Sequence, residues 1–351
     1  MTDVQTADAQ SGQHAGHAEH TGSTARAGHA TGHAENPRTA SARGPRATAW
    51  HAFRRDRTGM AALTVVLLCA ALAAAAPLVA ALYGKNPTEH YGQNRPGLLS
   101  AEGLPVLPNG GISGEHWFGI EPGLGRDVFA QLLYGMRTSL LVALASVAVI
   151  AVTGIVLGVT VGYLGGLADR AFTFVCNVLL GFPTLLLLLA LSPVIQTRFV
   201  DPGENEPVWM QFTSLILVFS AFGWVPLAMV LRTAVRSLRE REFVQAARAV
   251  GASRRHIVLR ELLPNVWAPV LVHVTLAVPG IVTAEAALSF LGVGINEPVP
   301  DWGRMISRGS EVFYDDPTYM VFPGVAILVF VLAFNLLGDA VRDALDPRTA
   351  R

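Results

Sequence analysis

Three sets of residues in this 351-residue chain are of a type and spacing that could do chemistry. The first is a histidine-rich opening, where His14, His17, His20, His29 and His33 sit among Ala, Gly, Thr and Ser. Imidazoles in such tracts can ligate divalent metal ions. The second is Glu285, a carboxylate well inside the apolar run 267–293, with Ser289 in the same run and Asn177 in another. Ionisable groups in apolar runs are costly, so they mark either a substrate path or a hydrogen bond that ties helices together. The third is "EFVQAARAVGASRRHIVLRELLPN", residues 242–265, which is rich in arginine and lies between two apolar runs. No G-x-x-x-x-G-K-[ST] loop occurs, so the chain has no phosphate cradle of its own. Cys69 and Cys176 both fall inside apolar runs and read as small buried hydrophobes, not as a disulfide or thiolate site.

The elements that must carry these residues are membrane helices. Half of the residues are hydrophobic and only 15% are charged, against about a quarter in soluble domains. A spanning helix needs about 20 apolar residues, and six runs qualify: 60–83, 139–164, 170–196, 212–232, 267–293 and 318–340. Continuous runs of this length exclude a β-barrel. With the N-terminus inside, the internal pieces hold 7, 1, 8 and 3 basic residues and the external ones 4, 1 and 2, so 19 stand against 7. That bias predicts an all-α membrane protein of six transmembrane helices with both termini cytoplasmic. His273 and Asn335, the other polar residues of the runs, read as helix–helix contacts.

The expected organisation is a disordered tail over 1–50, a first segment and span over 51–83 and an external loop over 84–138. A core over 139–340 and a cytoplasmic C-terminus over 341–351 follow. In the external loop Val128, Phe129, Leu132 and Leu133 fall at helical spacing, which predicts an amphipathic helix leading into the second span; it could equally lie on the bilayer interface. On this topology the histidine tail is cytoplasmic, the wrong side for capturing an incoming metal, and reads as a low-complexity bystander.

The internal piece 233–266 is long enough to fold. Phe243, Ala246, Ala247 and Val250 recur at i, i+3, i+4 and i+7, giving one apolar stripe. Gly251 is placed to stop that helix, Ser253 to cap a second one with Ile257, Val258, Leu259 and Leu262, and Pro264 to end it. The expected form is a helix–turn–helix elbow against the inner membrane face. Attraction to anionic lipid accounts for the arginines but requires no small-residue patch. A nucleic-acid reader tethered at both ends to spans is excluded as impractical. The alanine pair favours docking of a soluble cytoplasmic partner.

In these residues the chain resembles bacterial ABC importer permeases. "EFVQAARAVGAS" with "LLPN" is similar to their EAA motif, whose loop docks into a cleft on the ATPase subunit. "HWFGIEPGLGRDVFAQLLYGMRTSL", "ADRAFTFVCNVLLGFPTLLL", "TAEAALSFLGVGINEPVPDWGRMI" and "FPGVAILVFVLAFNLLGDAVRDALDPR" resemble the C-type permease subunit of dipeptide, oligopeptide and nickel importers. The resemblance runs from about 50 to 348. It implies the type I importer permease fold in the bacterial cytoplasmic membrane, with ATPase coupling through Arg241, Glu242, Phe243, Gln245, Ala246, Ala247, Val250, Gly251, Ala252 and Pro264. Implied partners are a homologous second permease, two ABC ATPases that bind ATP and magnesium, an extracytoplasmic binding protein, a peptide substrate and the lipid membrane. Nucleic acid is not among them, and no cofactor belongs to this chain itself. Two positions depart from the family's pattern: its leading Glu is Gln245 and its late Ile is Glu261. A nickel importer is the alternative within the family. A self-sufficient secondary transporter or channel is the alternative outside it; that reading expects an inverted repeat and has no use for the elbow.

Overall fold

The computed structural model describes residues 45–199 and 207–345. The five tail histidines lie outside these residues. A helix, α1 (Pro45–Arg55), begins inside the stretch expected to lack structure up to residue 50, because Phe53 finds an apolar seat beside Ala62, Leu337 and Ala340.

Among the described residues five helices are long and apolar enough to cross a membrane: α2 (Arg57–Tyr83), α3 (Val128–Leu164), α6 (Val208–Leu238), α8 (Trp267–Phe290) and α10 (Thr318–Leu345). The sixth expected span differs in form. It is a pair, α4 (Gly166–Leu180) and α5 (Thr184–Phe199), bent by 86° at the break. Pro183 supplies the reason, since it has no N–H to donate and drives Phe182 out of helical backbone. Among the shorter helices, α7 (Glu242–Ala249) lies in the elbow and α9 (Trp302–Glu311) in the segment before α10. Among the described residues there is no strand, only isolated bridges.

The 37 residues of α3 span about 55 Å at 1.5 Å per residue, well beyond the ~30 Å hydrocarbon core. The helix expected to lead into the second span is therefore its N-terminal end. Asp127 caps it by accepting from the Ala130 N–H at 2.8 Å. Val128 and Leu133 of that end are buried, so it does not lie on the bilayer surface.

The most extensive helix pair is α3 with α6. Gly154, Gly158 and Gly162 form a small-residue row on α3 facing Leu227, Ala228, Leu231 and Val235. A Cβ at Gly158 would stand 2.6 Å from the Ala228 carbonyl oxygen, and one at Gly162 would stand 2.8 Å from that of Arg232. The two backbones touch because there is nothing between them. In lipid, where apolar burial gives helices little reason to associate, close approach of this kind supplies the packing. Gly158→Val should therefore lower the melting temperature of the purified protein by the equivalent of about 2 kcal/mol or more. Gly280→Ala, where the added methyl meets open space, should leave it unchanged.

Candidate functional site

The elbow hangs from the end of α6. Arg241 opens α7, its carbonyl accepting from the Val244 and Gln245 N–H groups. After Ala249 the chain turns in a Schellman motif: the Gly251 N–H donates to the Arg248 carbonyl and the Ala252 N–H to that of Ala247, both at 3.0 Å. Gly251 has φ +81°, a left-handed conformation that a side chain would strain. Ser253 Oγ accepts from the His256 N–H. The second arm then runs through Arg254–His256, a π-helical Ile257–Leu262 and a 3₁₀ turn at Leu263–Asn265 containing Pro264.

Which face points where departs from the single stripe expected. Val244 is fully buried, and Ala247 beside it is half-buried; together with Ile257, Leu262 and Val266 they pack against Val159, Leu227, Leu231, Val235 and Val270 of the spans. The Arg248 guanidinium lies over the Tyr163 ring, 5.5 Å from its centre. Phe243, Ala246 and Val250 form a second row at i, i+3 and i+7 that faces outward, Val250 being 84% exposed. Ala247 belongs to the inner row and not to the outer one. The reason is the step of about 100° per residue: 244 and 247 centre on one face, and 243, 246 and 250 on a face roughly a quarter turn away. Glu242 and Gln245 are exposed. Glu261 lies 4.0 Å from His256 within the second arm.

Of the intramembrane candidates, Glu285 and Ser289 come together and Asn177 lies apart. Glu285 is wholly buried; it accepts hydrogen bonds from Ser139 Oγ at 2.8 Å and Ser289 Oγ at 3.2 Å, tying α8 to α3. Asn177 is exposed and lines a separate cavity beside Arg232 and Arg236. Next to Glu285 the start of α9 crosses the bundle. Trp302 Nε1 donates to the Leu132 carbonyl at 2.9 Å, and Gly303 lies so close to α8 that a Cβ would stand 2.1 Å from the Ala286 carbonyl oxygen.

A charged cluster at the N-terminal end of α3 does not announce itself in the sequence. Buried Glu121 accepts from Arg126 at 2.5 and 2.8 Å, from Gln131 at 2.8 Å and from Arg308 at 2.7 Å, while Glu297 bridges both arginines. Beside it Asp127 accepts from Tyr83 at 3.0 Å and pairs with His116 at 2.8 Å. Burial pushes the Glu121 carboxyl up, but the hydrogen bonds and charges of Arg126 and Arg308 outweigh it and hold it below the ordinary glutamate value. The only signal for this cluster was the run of charges in "GIEPGLGRD", whose partners at 297 and 308 are far away in sequence.

Residues 154–351 match the family described as binding-protein-dependent transport system inner membrane component, and residues 44–98 match the N-terminal TM domain of oligopeptide transport permease C. The chain belongs to this family of importer permeases. Permeases of the family are membrane-spanning transport subunits, not catalytic enzymes, and work with ATPase and substrate-binding partners. A dipeptide transport system permease protein, DppC, of Alkalihalophilus pseudofirmus is 37% identical over 68% of this chain and 74% of its own length. DppC of Bacillus subtilis is 32% identical over 86% of both chains. A glutathione transport system permease protein, GsiD, of Escherichia coli is 33% identical over 85% of this chain and 89% of its own. The permease fold thus carries the elbow at one end and the ion-paired cap at the other.

Two outcomes check this geometry. Val244→Asp buries an unpaired carboxylate under the elbow, a cost of about 3 kcal/mol, and should speed tryptic cleavage at the elbow arginines; Val250→Asp should not. Arg126→Gln leaves Glu121 short of its main partner and should lower the melting temperature at neutral pH. Because the Glu121 pKa is depressed on folding, its contribution is present above the ordinary glutamate value and is lost as pH falls through the lowered one. The wild-type and Arg126→Gln melting temperatures should accordingly draw together in acid.

Proposed function

We propose that this permease carries dipeptides or short oligopeptides inward across the cytoplasmic membrane, driven by ATP hydrolysis on separate subunits that grip the elbow. The observation that carries the reading is the outward row of Phe243, Ala246 and Val250, an apolar and partly small-residue face held on a helix whose other side is clamped to the spans. Exposed apolar rows of this kind call for a protein partner. Ala246 lets that partner's backbone approach. Arg241, Glu242 and Gln245 rim the row, and Gly251, Ala252 and Pro264 fix the angle of the two arms. The names of the relatives support a peptide cargo: two are dipeptide permeases, and glutathione is itself a short peptide.

In this reading both termini and the elbow are cytoplasmic, as the arginine bias argues. The Glu121–Arg308 cap faces outward, toward a binding protein that delivers the peptide. A second, homologous permease completes the path and two ATPases close on the pair of elbows; this chain carries no nucleotide loop and transmits the motion. Glu285 and Ser289 serve as a tie between α3 and α8, while Asn177, exposed beside the break in the third span, is the better candidate for contact with cargo.

The test is uptake of a labelled dipeptide by the assembled complex in proteoliposomes. Ala246→Arg should cut ATP-dependent uptake at least about tenfold, the scale of a lost interface anchor, and reduce co-purification of the ATPase without changing insertion. Normal ATPase capture by Ala246→Arg would overturn the docking assignment. Uptake of nickel but not of dipeptide by the wild type would overturn the cargo.

A further inference from the structure

The bend between α3 and α4 opens a polar cavity of about 540 Å³, of whose lining the transport reading uses only Asn177. Its wall brings together Arg170, Arg232, Arg236 and Arg239 against a single carboxylate, Asp169. Asp169 is already engaged, accepting both a Nε and a Nη2 hydrogen bond from Arg232, with Arg236 Nη1 at 3.7 Å. Arg239 Nη1 spends one donor on the Tyr163 carbonyl at 3.3 Å, and its Nη2 lies 3.9 Å from Glu240. Arg170 has no ion pair among the described residues and is exposed. Four guanidiniums over one lining carboxylate leave the cavity three charges positive.

Two further features point to the shape of an occupant. The 15-residue α4 starts at the same cavity, and its N-cap, Gly165, has no side chain to satisfy the first-turn amides. Those amides add a positive dipole end to the guanidiniums. From the cavity mouth an apolar row runs outward along α4. Leu167 is 81% exposed and Phe174, which also lines the cavity, is 70% exposed, with Ala171 and Val178 on the same side. A basic pocket opening onto an exposed apolar helix face suits an anion joined to hydrocarbon. A soluble anion would gain nothing from the row.

We infer that this cavity binds the phosphate headgroup of an anionic phospholipid, with an acyl chain lying along the Leu167–Val178 face of α4. Guanidiniums take the phosphate oxygens in paired hydrogen bonds. The site sits at the end of α6 from which the elbow departs, so a bound headgroup braces Arg236 and Arg239 against the α3–α4 turn. It places phosphate at the leaflet that the arginine bias makes cytoplasmic, but occupancy does not require the elbow to dock an ATPase.

The test uses the full-length protein, delipidated in detergent, titrated with phosphatidylglycerol, phosphatidylcholine or inorganic phosphate and read by native mass spectrometry. The expected result is one phosphatidylglycerol adduct held in preference to phosphatidylcholine. Arg170→Gln/Arg236→Gln should weaken it about fivefold per arginine with an unchanged melting temperature, both side chains being exposed. Arg254→Gln/Arg255→Gln, which removes two exposed arginines from the elbow instead, should not weaken it. Equal binding of the two lipids, or equal loss from the two double variants, would overturn the proposal. Displacement of phosphatidylglycerol by millimolar inorganic phosphate would assign the pocket to a soluble anion and overturn the lipid as its occupant. Should the double variant melt early, the single Arg170→Gln, which breaks no described ion pair, decides the matter with a loss of about fivefold.

Discussion

The close contact of α3 and α6 is the constraint on which the rest of this permease depends. Three glycines at four-residue spacing let the Ala228 and Arg232 backbone and the Leu227 side chain of α6 come up against the backbone of α3. With α6 packed along it, α3 then joins the charged cap to the seat of the elbow. Asp127 at its N-terminal end belongs to the cap, and Val159 toward its C-terminal end packs in one cluster with Val244 and Ile257. A larger residue in the row would separate the two helices and with them the surfaces that hold both ends.

The two ends are held by different physics. At the elbow the contact is apolar: Val244, Ile257 and Leu262 are buried against the span ends, and the Schellman turn leaves few backbone groups unsatisfied. At the cap the contact is ionic. Burying Glu121 with one arginine removed would be costly, because a desolvated charge keeps its penalty when its partner goes. With Arg126, Gln131 and Arg308 all donating, the cluster instead fixes α3, the loop that precedes it and α9 in one arrangement. Trp302, wedged at Gly135 with its indole N–H on the Leu132 carbonyl, continues that connection toward Glu285. Cap and buried carboxylate thus share the helix that also forms the seam.

The spans, the glycine turn, the serine cap and the proline stop were legible in the residues themselves because each depends on local backbone chemistry. Hydropathy marks a lipid-facing helix, and a left-handed turn marks itself by glycine. The break at Pro183 was visible as a residue but not as an event, since membrane helices often keep a proline, as α2, α6, α8 and α10 do here. The direction of the elbow's faces was misjudged by one position: small Ala246 and Ala247 look alike in sequence, and only the span ends decide which is covered. The cap was invisible for a different reason. Glu121 and Arg308 are 187 residues apart, and no local pattern announces a pairing that the topology creates.

Whether the elbow moves with its span is the question on which the account stands. Spin labels at Arg260→Cys on the exposed side of the elbow's second arm and Val230→Cys on α6, with Cys69 and Cys176 replaced, give that distance in the assembled complex without nucleotide and with ATP trapped. A rigid transmission element predicts the same distance distribution in both states, while distances from Arg260→Cys to the partner permease change. A change in the Arg260–Val230 distance of about one helical turn or more, with the spans at rest, would mean that the elbow swings freely and that motion at the ATPase does not reach the membrane through it.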